Sequence, residues 1–243
     1  MISFGAYREV VDRLSVPALT GIRRLSALDT VRARIALAVE LGLLTPGEAL
    51  PPGGEIAVAL GVSEITVRRA LVSLCSDGVL ERRRGRGGGT LVSLSPPRGV
   101  VAEIAAYTGA AAEVHELIDH RLVLESGLVH LAAVRGVAVD ELWEFVDRME
   151  KASGWAEFHE LDAAFHLAAA GASGMPTGVA RFEEVVRELY RYYLPYPMEY
   201  LRESNREHAE LVEALAKGDP VAAVDVVCRH VGALHSTMLA RHG

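Results

Sequence analysis

The sequence has few of the features that would mark a secreted, membrane-spanning or disulfide-rich protein. Its 243 residues include only two cysteines, Cys75 and Cys228, which are too far apart in sequence and too few to form a disulfide framework. No apolar run approaches the ~20 residues that a membrane-spanning helix needs. The first residues, MISFGAYREVVDRL, carry charges where a signal peptide would need its apolar core. We therefore expect a cytoplasmic protein without membrane association, in which both cysteines are small buried residues.

The charges are unevenly distributed along the chain. Residues 20–95 contain 10 Arg or Lys against 7 Asp or Glu, whereas residues 96–243 contain 13 against 23. The length is sufficient for two modest domains that each bury a core. A basic first part and an acidic remainder indicate two domains with different partners, and only the first would attract a polyanion.

The segment GVSEITVRRALVSLCSDG, residues 61–78, predicts a short helix with an apolar back and a basic front. Ser63 is a favourable N-cap, and the apolar positions 67, 70, 71 and 74 recur at helical spacing. Ile65, Arg68 and Arg69 fall on the opposite face. Such a helix, entered through a glycine turn, suits the DNA major groove. The segment alone could equally be a surface helix with two solvated arginines, so the flanking sequence has to decide.

The flanking sequence predicts the rest of a DNA-binding module. An amphipathic helix begins near Leu28, and a short helix covers residues 55–60. After the helix of residues 61–78, residues 80–83 and 90–92 predict two short strands joined by the loop RGRGGG. Glycine lets the backbone approach phosphates or the minor groove, and Arg84 and Arg86 supply positive charge. Two strands with such a loop indicate a wing.

Three segments of residues 28–92 carry a family resemblance: LTPGEALPP, LGVSEITVRRALVSLCSDGVLERR and GRGGGTLV, in this order. They resemble the winged helix-turn-helix of GntR-type bacterial transcription regulators. The resemblance implies that the chain binds double-stranded operator DNA through the predicted helix and wing. The residues expected at the DNA are Ser63, Glu64, Ile65, Thr66, Arg68, Arg69, Arg84, Arg86 and Gly87.

Two positions depart from that family's usual pattern. The family usually has Ser-Glu-Arg after Leu-Pro, where this chain has Pro52, Gly53 and Gly54. The family also favours arginine where this chain has Glu64. Glu64 either stabilises the helix dipole from the first turn or accepts a hydrogen bond from a cytosine amino group. The operator sequence therefore does not carry over from the family.

The remainder of the chain is predicted to be helical. The stretch Ser-Pro-Pro-Arg-Gly at residues 95–99 is a linker by composition. The predicted helices cover residues 111–134, 138–151, 156–170, 178–193, 198–216 and 220–240. The predicted fold is mainly α, with an N-terminal winged helix-turn-helix and a C-terminal bundle of six or seven helices. The expected boundaries are a tail at 1–20, the DNA-binding domain at 21–94, a linker at 95–103, and an effector- and metal-binding domain at 104–243.

Polar residues interrupt the apolar stripes of three predicted helices. Asp162 and His166 are four residues apart and face the same way, while His208 and His230 lie on the stripes of two other helices. A buried carboxylate needs a compensating partner. One carboxylate and three imidazoles in a bundle suit a divalent transition metal, zinc first, with nickel or manganese as alternatives. The competing interpretation is that a backbone carbonyl satisfies each histidine separately.

The same region resembles the effector-binding domain of the FadR subfamily through the motifs RLVLE at 121–125, DAAFH at 162–166, EH at 207–208 and a histidine at 230. That resemblance implies an all-helical domain whose metal is held by the Asp and the three His. Arg121 falls on an apolar stripe, where it either pairs with Glu125 or clamps the carboxylate of an effector. Asn205, on the stripe of its own helix, is expected to join Arg121 in binding the effector.

These patterns predict a ligand-responsive transcription regulator rather than an enzyme. The expected protein is a repressor that binds an inverted-repeat operator as a homodimer and responds to a small organic acid. In one alternative the metal ion itself is the signal. In another, a metal-dependent hydrolase, the site would activate water, but no spare general base stands beside the ligands and the winged module would have no purpose.

Overall fold

The computed structural model describes residues 25–85 and 88–238. The described residues of the first part of the chain fold into three helices and a two-stranded antiparallel sheet. Its elements are α1 (Ala27–Glu40), α2 (Gly53–Leu60), α3 (Glu64–Ser76), β1 (Leu80–Arg83) and β2 (Gly89–Val92). The predicted helix-turn-helix and wing are thereby confirmed. The predicted tail, the first four residues of the predicted DNA-binding domain, Arg86 and Gly87 lie outside the described residues.

Local sequence signals account for where these elements begin and end. Ser63 caps α3, because its hydroxyl accepts a hydrogen bond from the Thr66 amide at 3.2 Å. Gly61 ends α2 in the left-handed conformation with φ at 65°, which glycine adopts without strain. The wing pairs Leu80 with Val92, so that the apolar ends of both strands meet at the core of the module.

The second part of the chain is a helical bundle, as predicted. Its elements are α4 (Glu103–Thr108), α5 (Ala111–Arg135), α6 (Asp140–Glu150), α7 (Trp155–Gly171), α8 (Pro176–Leu189), α9 (Met198–Ala216), α10 (Pro220–Gly232) and α11 (Leu234–Thr237). A single 3₁₀ turn, Tyr190–Tyr192, follows α8. Within the described part of the chain, no helix is long and apolar enough to cross a membrane.

Four details differ from the sequence-based expectations. Helix α4 was not predicted, since six residues are too few for a helical period to stand out; it begins inside the predicted linker and buries Tyr107. The predicted helix at 178–193 stops at Leu189, because the chain turns extended at Tyr193 ahead of two prolines. The predicted helix at 220–240 is interrupted after Gly232. The expectation that both cysteines are buried was wrong, because Cys228 is exposed and Cys75 is only partly buried.

Helix α1 contributes to the cores of both halves of the molecule. Its Ile35 packs in the core of the DNA-binding module, whereas Ala33 and Leu37 pack in the core of the bundle. In the opposite direction, Trp155 and Ala156 at the start of α7 pack into the core of the DNA-binding module. The two halves therefore meet through apolar contacts along α1 and the start of α7.

Candidate metal centre and nucleic-acid interface

The four predicted metal ligands meet at one point of the bundle. Asp162 and His166 lie one turn apart on α7, His208 lies on α9, and His230 lies on α10. Each offers one ligand atom, and these four atoms all lie within 4.8 Å of one another. The first three residues are buried, and the side chain of His230 is 10% exposed. Packing of the apolar stripes of three helices thus brings the polar positions together.

Two of the histidines are held by carboxylates through their Nδ1 atoms. Nδ1 of His166 lies 2.5 Å from Oε1 of Glu125, and Nδ1 of His230 lies 2.8 Å from Oε2 of Glu207. A carboxylate accepts the N–H at Nδ1 and so fixes the tautomer that leaves a lone pair on Nε2. Carboxylates that support metal-binding histidines use this arrangement.

The third histidine is supported by an amide. Nδ1 of His208 lies 3.4 Å from Oδ1 of Asn205, whose Nδ2 donates to the Val146 carbonyl at 3.0 Å. Both ends of the Asn205 side chain are therefore directed at protein groups. The effector contact predicted for Asn205 remains a prediction, and in the structure its side chain lies against His208.

The spacing of the ligand atoms and their missing partners fit a metal ion. The Nε2 atoms of His166 and His208 are buried and have no hydrogen-bond partner among the described residues. They lie 3.7 and 3.3 Å from Oδ1 of Asp162. Ligand atoms bound at ~2.1 Å to one ion are roughly 3 to 4 Å apart. The set of one oxygen and three imidazole nitrogens suits zinc, nickel or manganese.

The electrostatics of Asp162, His208 and His230 favour the protonation states that a metal needs, whereas those of His166 do not. Burial alone would raise the pKa of Asp162, but His166, His208 and Arg121 hold it well below its usual range. Burial lowers the pKa of His208 and of His230 below the usual value for histidine. Burial also acts to lower the pKa of His166, but the carboxylates beside that ring outweigh it and leave the pKa raised. Ionised Asp162 and neutral imidazoles are the forms that bind cations.

Arg121 is fully buried beside this cluster. Its Nε donates to Oε2 of Glu125 at 2.8 Å, and its Nη1 donates to the Tyr193 hydroxyl at 2.7 Å. The predicted ion pair with Glu125 is therefore present. The Nη2 atom is buried and has no hydrogen-bond partner among the described residues. Glu125 joins Arg121 to His166, a connection that the i,i+4 spacing on α5 could not reveal.

A cavity of about 160 Å³ opens beside the metal ligands Asp162 and His230. Its walls come from α7, α9, α10 and the segment that joins α8 to α9, and α1 and α2 of the DNA-binding module close it. Sequence reasoning missed most of this lining. The strongest overlooked signal was the run YLPYPMEY at 193–200, from which Tyr193, Tyr196 and Tyr200 face the cavity.

The predicted DNA-reading face of α3 is exposed. Ile65 is 73% exposed, and Ser63, Glu64, Arg68 and Arg69 are also exposed. The opposite side of the helix is buried through Val67, Ala70, Leu71 and Leu74, as the periodicity predicted. Thr66 is half-buried, and its hydroxyl lies 2.8 Å from the Ser63 hydroxyl. Within the described part of the chain, neither arginine of this face forms an ion pair, so both remain available to an anionic partner.

The wing adds further positive charge to the same module. Arg84 is exposed where β1 enters the loop, as expected. Arg82 and Arg83 on β1 are also exposed, and sequence reasoning had treated them only as strand residues. Arg83 lies 4.0 Å from Glu81, a distance at which an exposed pair contributes little. Three consecutive arginines were the signal that could have identified this charged edge.

Comparison with known proteins assigns both halves of the chain to described domains. The profile of bacterial regulatory proteins of the gntR family matches residues 27–91. The profile of the FCD domain matches residues 116–233. The first range contains the helix-turn-helix and the start of the wing's second strand through Leu91, and the second contains all four candidate metal ligands.

Relatives over most of the chain are transcription regulators. RmpR of Mycobacterium gastri, named as an HTH-type transcriptional regulator, is 30% identical over 212 residues, which cover 84% of this chain and 77% of the relative. The Uxu operon transcriptional regulator of Escherichia coli strain K12 is 28% identical over 208 residues, covering 76% of each chain. The transcriptional repressor NanR of Cronobacter sakazakii is 28% identical over 209 residues, covering 80% and 78%. The expectation that the chain is not an enzyme is thereby confirmed.

Proposed function

The chain belongs to the gntR family of bacterial regulatory proteins, and we propose that it is a repressor whose DNA binding is controlled by a small organic acid bound at a divalent metal. The observation that carries this proposal is the convergence of Asp162 and three supported histidines beside a cavity. That cavity reaches from the metal ligands to helices of the DNA-binding module.

The metal would be held by Oδ1 of Asp162 and by the Nε2 atoms of His166, His208 and His230. Zinc is the first choice for this ligand set, and nickel or manganese would also fit. The bound ion would provide a positive centre that attracts an oxygen donor such as a carboxylate. Its four protein ligands come from three helices, so metal binding would also stabilise the folded bundle.

Arg121 is the proposed second contact for the acid. Its Nη2 atom is a buried donor without a partner among the described residues, and it belongs to a guanidinium already fixed by Glu125 and Tyr193. A fixed guanidinium loses little freedom when it binds a carboxylate. A metal and an arginine acting on one carboxylate would favour acids over the corresponding amides. Asn205 would act by orienting His208 rather than by touching the acid.

The DNA-binding module would act as one half of a homodimer. Two copies of α3 would enter successive major grooves of an inverted-repeat operator, with the wing arginines at the phosphates. Ile65 would contact thymine methyl groups, and Arg68 would reach base edges. Glu64 occupies the first turn of α3, where it would either stabilise the helix dipole or accept from a cytosine amino group. Such a protein would work in the cytoplasm, where chromosomal DNA lies.

Metal analysis and DNA binding test this proposal together. Purified wild-type protein should contain about one divalent ion per chain, and the Asp162→Ala, His166→Ala double variant should contain far less. Wild type should bind a duplex taken from the region upstream of its own gene, and a carboxylic acid should change that affinity. If the metal alone changed the affinity and no acid did, the ion would be the signal. Full metal occupancy in the double variant would refute the proposed ligands.

A further inference from the structure

Arg34 on α1 is a buried cation for which DNA binding and metal binding provide no role. The residue is 1% exposed, and its Nε donates to the main-chain carbonyl of Tyr193. It forms no ion pair with any carboxylate of the described residues. Burial lowers its pKa to about 10, so the guanidinium remains charged at neutral pH. A buried charge without a counter-charge is unfavourable, and an anionic ligand would compensate it.

Arg34 lines the same cavity as Asp162 and His230, although it belongs to the DNA-binding module. Trp155 and His159 also line this cavity. The Nε1 atom of Trp155 and the Nε2 atom of His159 are both buried, and neither has a hydrogen-bond partner among the described residues. The cavity therefore has polar groups in need of partners in addition to the metal ligands.

The two glutamates that line the cavity do not cancel this positive charge, and its third carboxylate, Asp162, belongs to the candidate metal centre. Glu207 lies against Nδ1 of His230 at 2.8 Å and near Arg229 at 3.6 Å. Glu203 pairs with Arg206 at 2.6 Å, and its side chain is 71% exposed. Both carboxylates thus have cationic or N–H partners of their own. Among the described residues, Arg34 is the cavity-lining cation that lacks a carboxylate partner.

We propose that Arg34 forms a second anion subsite, so that the effector is a small diacid with one carboxylate at the metal and the other at Arg34. This inference rests on the proposed function, because it takes the first carboxylate to be bound at the metal. A cavity of about 160 Å³ has room for on the order of ten non-hydrogen atoms. That size suits a linear diacid of about four to six carbons.

The second subsite would bring the ligand into direct contact with the module that binds DNA. Helix α1 packs on both α3 and α4, so a ligand bound to Arg34 acts on the immediate support of the DNA-reading helix. Tyr193 links this subsite to the metal centre, because its carbonyl accepts from Arg34 and its hydroxyl accepts from Arg121. A diacid that spans the cavity would therefore fix the DNA-binding module against the bundle.

Calorimetry on the zinc-loaded full-length protein tests the second subsite. The probes are succinate, glutarate and adipate, each compared with the monoacid of the same chain length: butyrate, pentanoate and hexanoate. Wild type should bind at least one diacid about tenfold or more tightly than its monoacid partner, as expected for an added charge-assisted contact. Arg34→Met should lose this preference while its affinity for the monoacid stays within about threefold of wild type.

Arg32→Met is the matched control. Arg32 lies on the same helix, but its guanidinium pairs with Asp77 at 2.8 Å and Glu103 at 2.5 Å and does not line the cavity. This variant should retain the preference for diacids. Circular dichroism and zinc content should show that each variant is folded and loaded. If Arg34→Met does not fold, Arg34→Lys should keep a cation and part of the preference.

The possible outcomes separate this inference from the proposed function. Suppose that monoacids bind to wild type. If wild type then shows no preference for diacids, or if Arg34→Met shows the same preference as wild type, the second subsite is refuted. The proposal of an acid bound at the metal would still stand. If neither monoacids nor diacids bind to the zinc-loaded wild type, both proposals fail. If monoacids bind to the zinc-loaded protein and no longer bind after zinc is removed, the contact between the carboxylate and the metal is supported.

Discussion

Oε1 of Glu125 lies 2.5 Å from Nδ1 of His166, so a buried residue of α5 fixes the ring of a candidate metal ligand on α7. The pKa of Glu125 lies well below its usual range, because Arg121 and His166 together outweigh the effect of burial. The carboxylate is therefore ionised and accepts the N–H of the imidazole. This relationship makes Glu125 a supporting residue of the metal centre as well as the ion-pair partner of Arg121.

Replacing Glu125 should accordingly weaken metal binding. We expect Glu125→Gln to fold and to bind zinc about 10- to 100-fold more weakly, the usual effect of losing a carboxylate that supports a metal-binding histidine. Competition with a chromophoric chelator measures this affinity. The control is Glu116→Gln, an exposed position on the same helix, which should leave the affinity unchanged. Equal zinc affinity in wild type and Glu125→Gln would show that His166 needs no such support.

Loss of a ligand should reduce both metal content and stability. We expect His208→Ala to contain less zinc than wild type and to unfold at a lower temperature, since bound metal stabilises the folded state. Mass spectrometry of native protein and thermal unfolding with and without a chelator measure the two effects. Part of the difference in unfolding temperature should disappear when wild type is stripped of metal. An undiminished difference would mean that His208 contributes to packing alone.

The fold could be predicted from the sequence largely because its signals are local. Ser63 as a cap and the glycine at 61 determine α3, and regular apolar spacing determines the long helices. The clustering of the four candidate metal ligands could also be predicted, because each is a polar residue on an apolar stripe. The roles of Glu125 and Arg34 could not, since they depend on which helices pack together: Glu125 meets His166 across 41 residues, and Arg34 meets Tyr193 across 159.

Removal of a base-reading arginine should weaken operator binding. We expect Arg68→Ala to lose about 1–3 kcal/mol of binding free energy if Arg68 contacts a base edge. Fluorescence anisotropy with the operator duplex measures the loss. Arg181→Ala is the control, because Arg181 lies on α8 in a surface pair with Glu184 at 2.7 Å. A loss as large in the control as in Arg68→Ala would exclude a specific role for the α3 face.

The wing arginine should act differently from Arg68. We expect Arg84→Ala to weaken binding to all duplexes to a similar degree and to reduce the slope of log affinity against log salt by about one. Arg84 is exposed and follows β1, which suits a phosphate contact. Titrations at several salt concentrations with operator and unrelated duplexes measure both quantities. A loss confined to the operator would instead place Arg84 at a base.

Removal of Arg121 should weaken acid binding but leave operator binding in place. We expect Arg121→Met to fold, to retain zinc and to bind operator, yet to bind butyrate about tenfold or more weakly than wild type, since one of two charge-assisted contacts is lost. Glu125 cannot be the neutral control here because it also holds His166. Arg181→Met is the control, because Arg181 lies on the surface of α8 in a pair with Glu184 at 2.7 Å, and this variant should bind butyrate like wild type. Equal butyrate affinity in wild type and Arg121→Met would leave Arg121 with a structural role.

His159 should make folding stability depend on pH in the acidic range. Burial lowers its pKa to about 4, whereas an unfolded histidine titrates near 6.5. Its ring packs in tilted contact with Tyr190 and Tyr193, with centroid separations of 4.7 and 5.1 Å. The neutral ring of the folded state resists protonation, so the unfolded chain gains a proton first as the pH falls. The associated stability is complete above about pH 6.5 and is lost progressively toward pH 4.

Replacing His159 with phenylalanine should remove this pH-dependent contribution to stability while keeping an aromatic ring in contact with Tyr190 and Tyr193. We expect the free energy of unfolding of wild type to fall by about 1–2 kcal/mol more than that of His159→Phe when the pH is lowered from 7.5 to 5. Urea unfolding of both proteins at each pH gives the four free energies of unfolding that are needed. The pH-dependent contribution of the metal ligands is common to both proteins and cancels in the difference. His120→Phe, at an exposed position of α5, should behave like wild type. If wild type and His159→Phe lost stability in parallel, His159 would be protonated equally in the folded and unfolded states, and the buried environment inferred for its ring would be wrong.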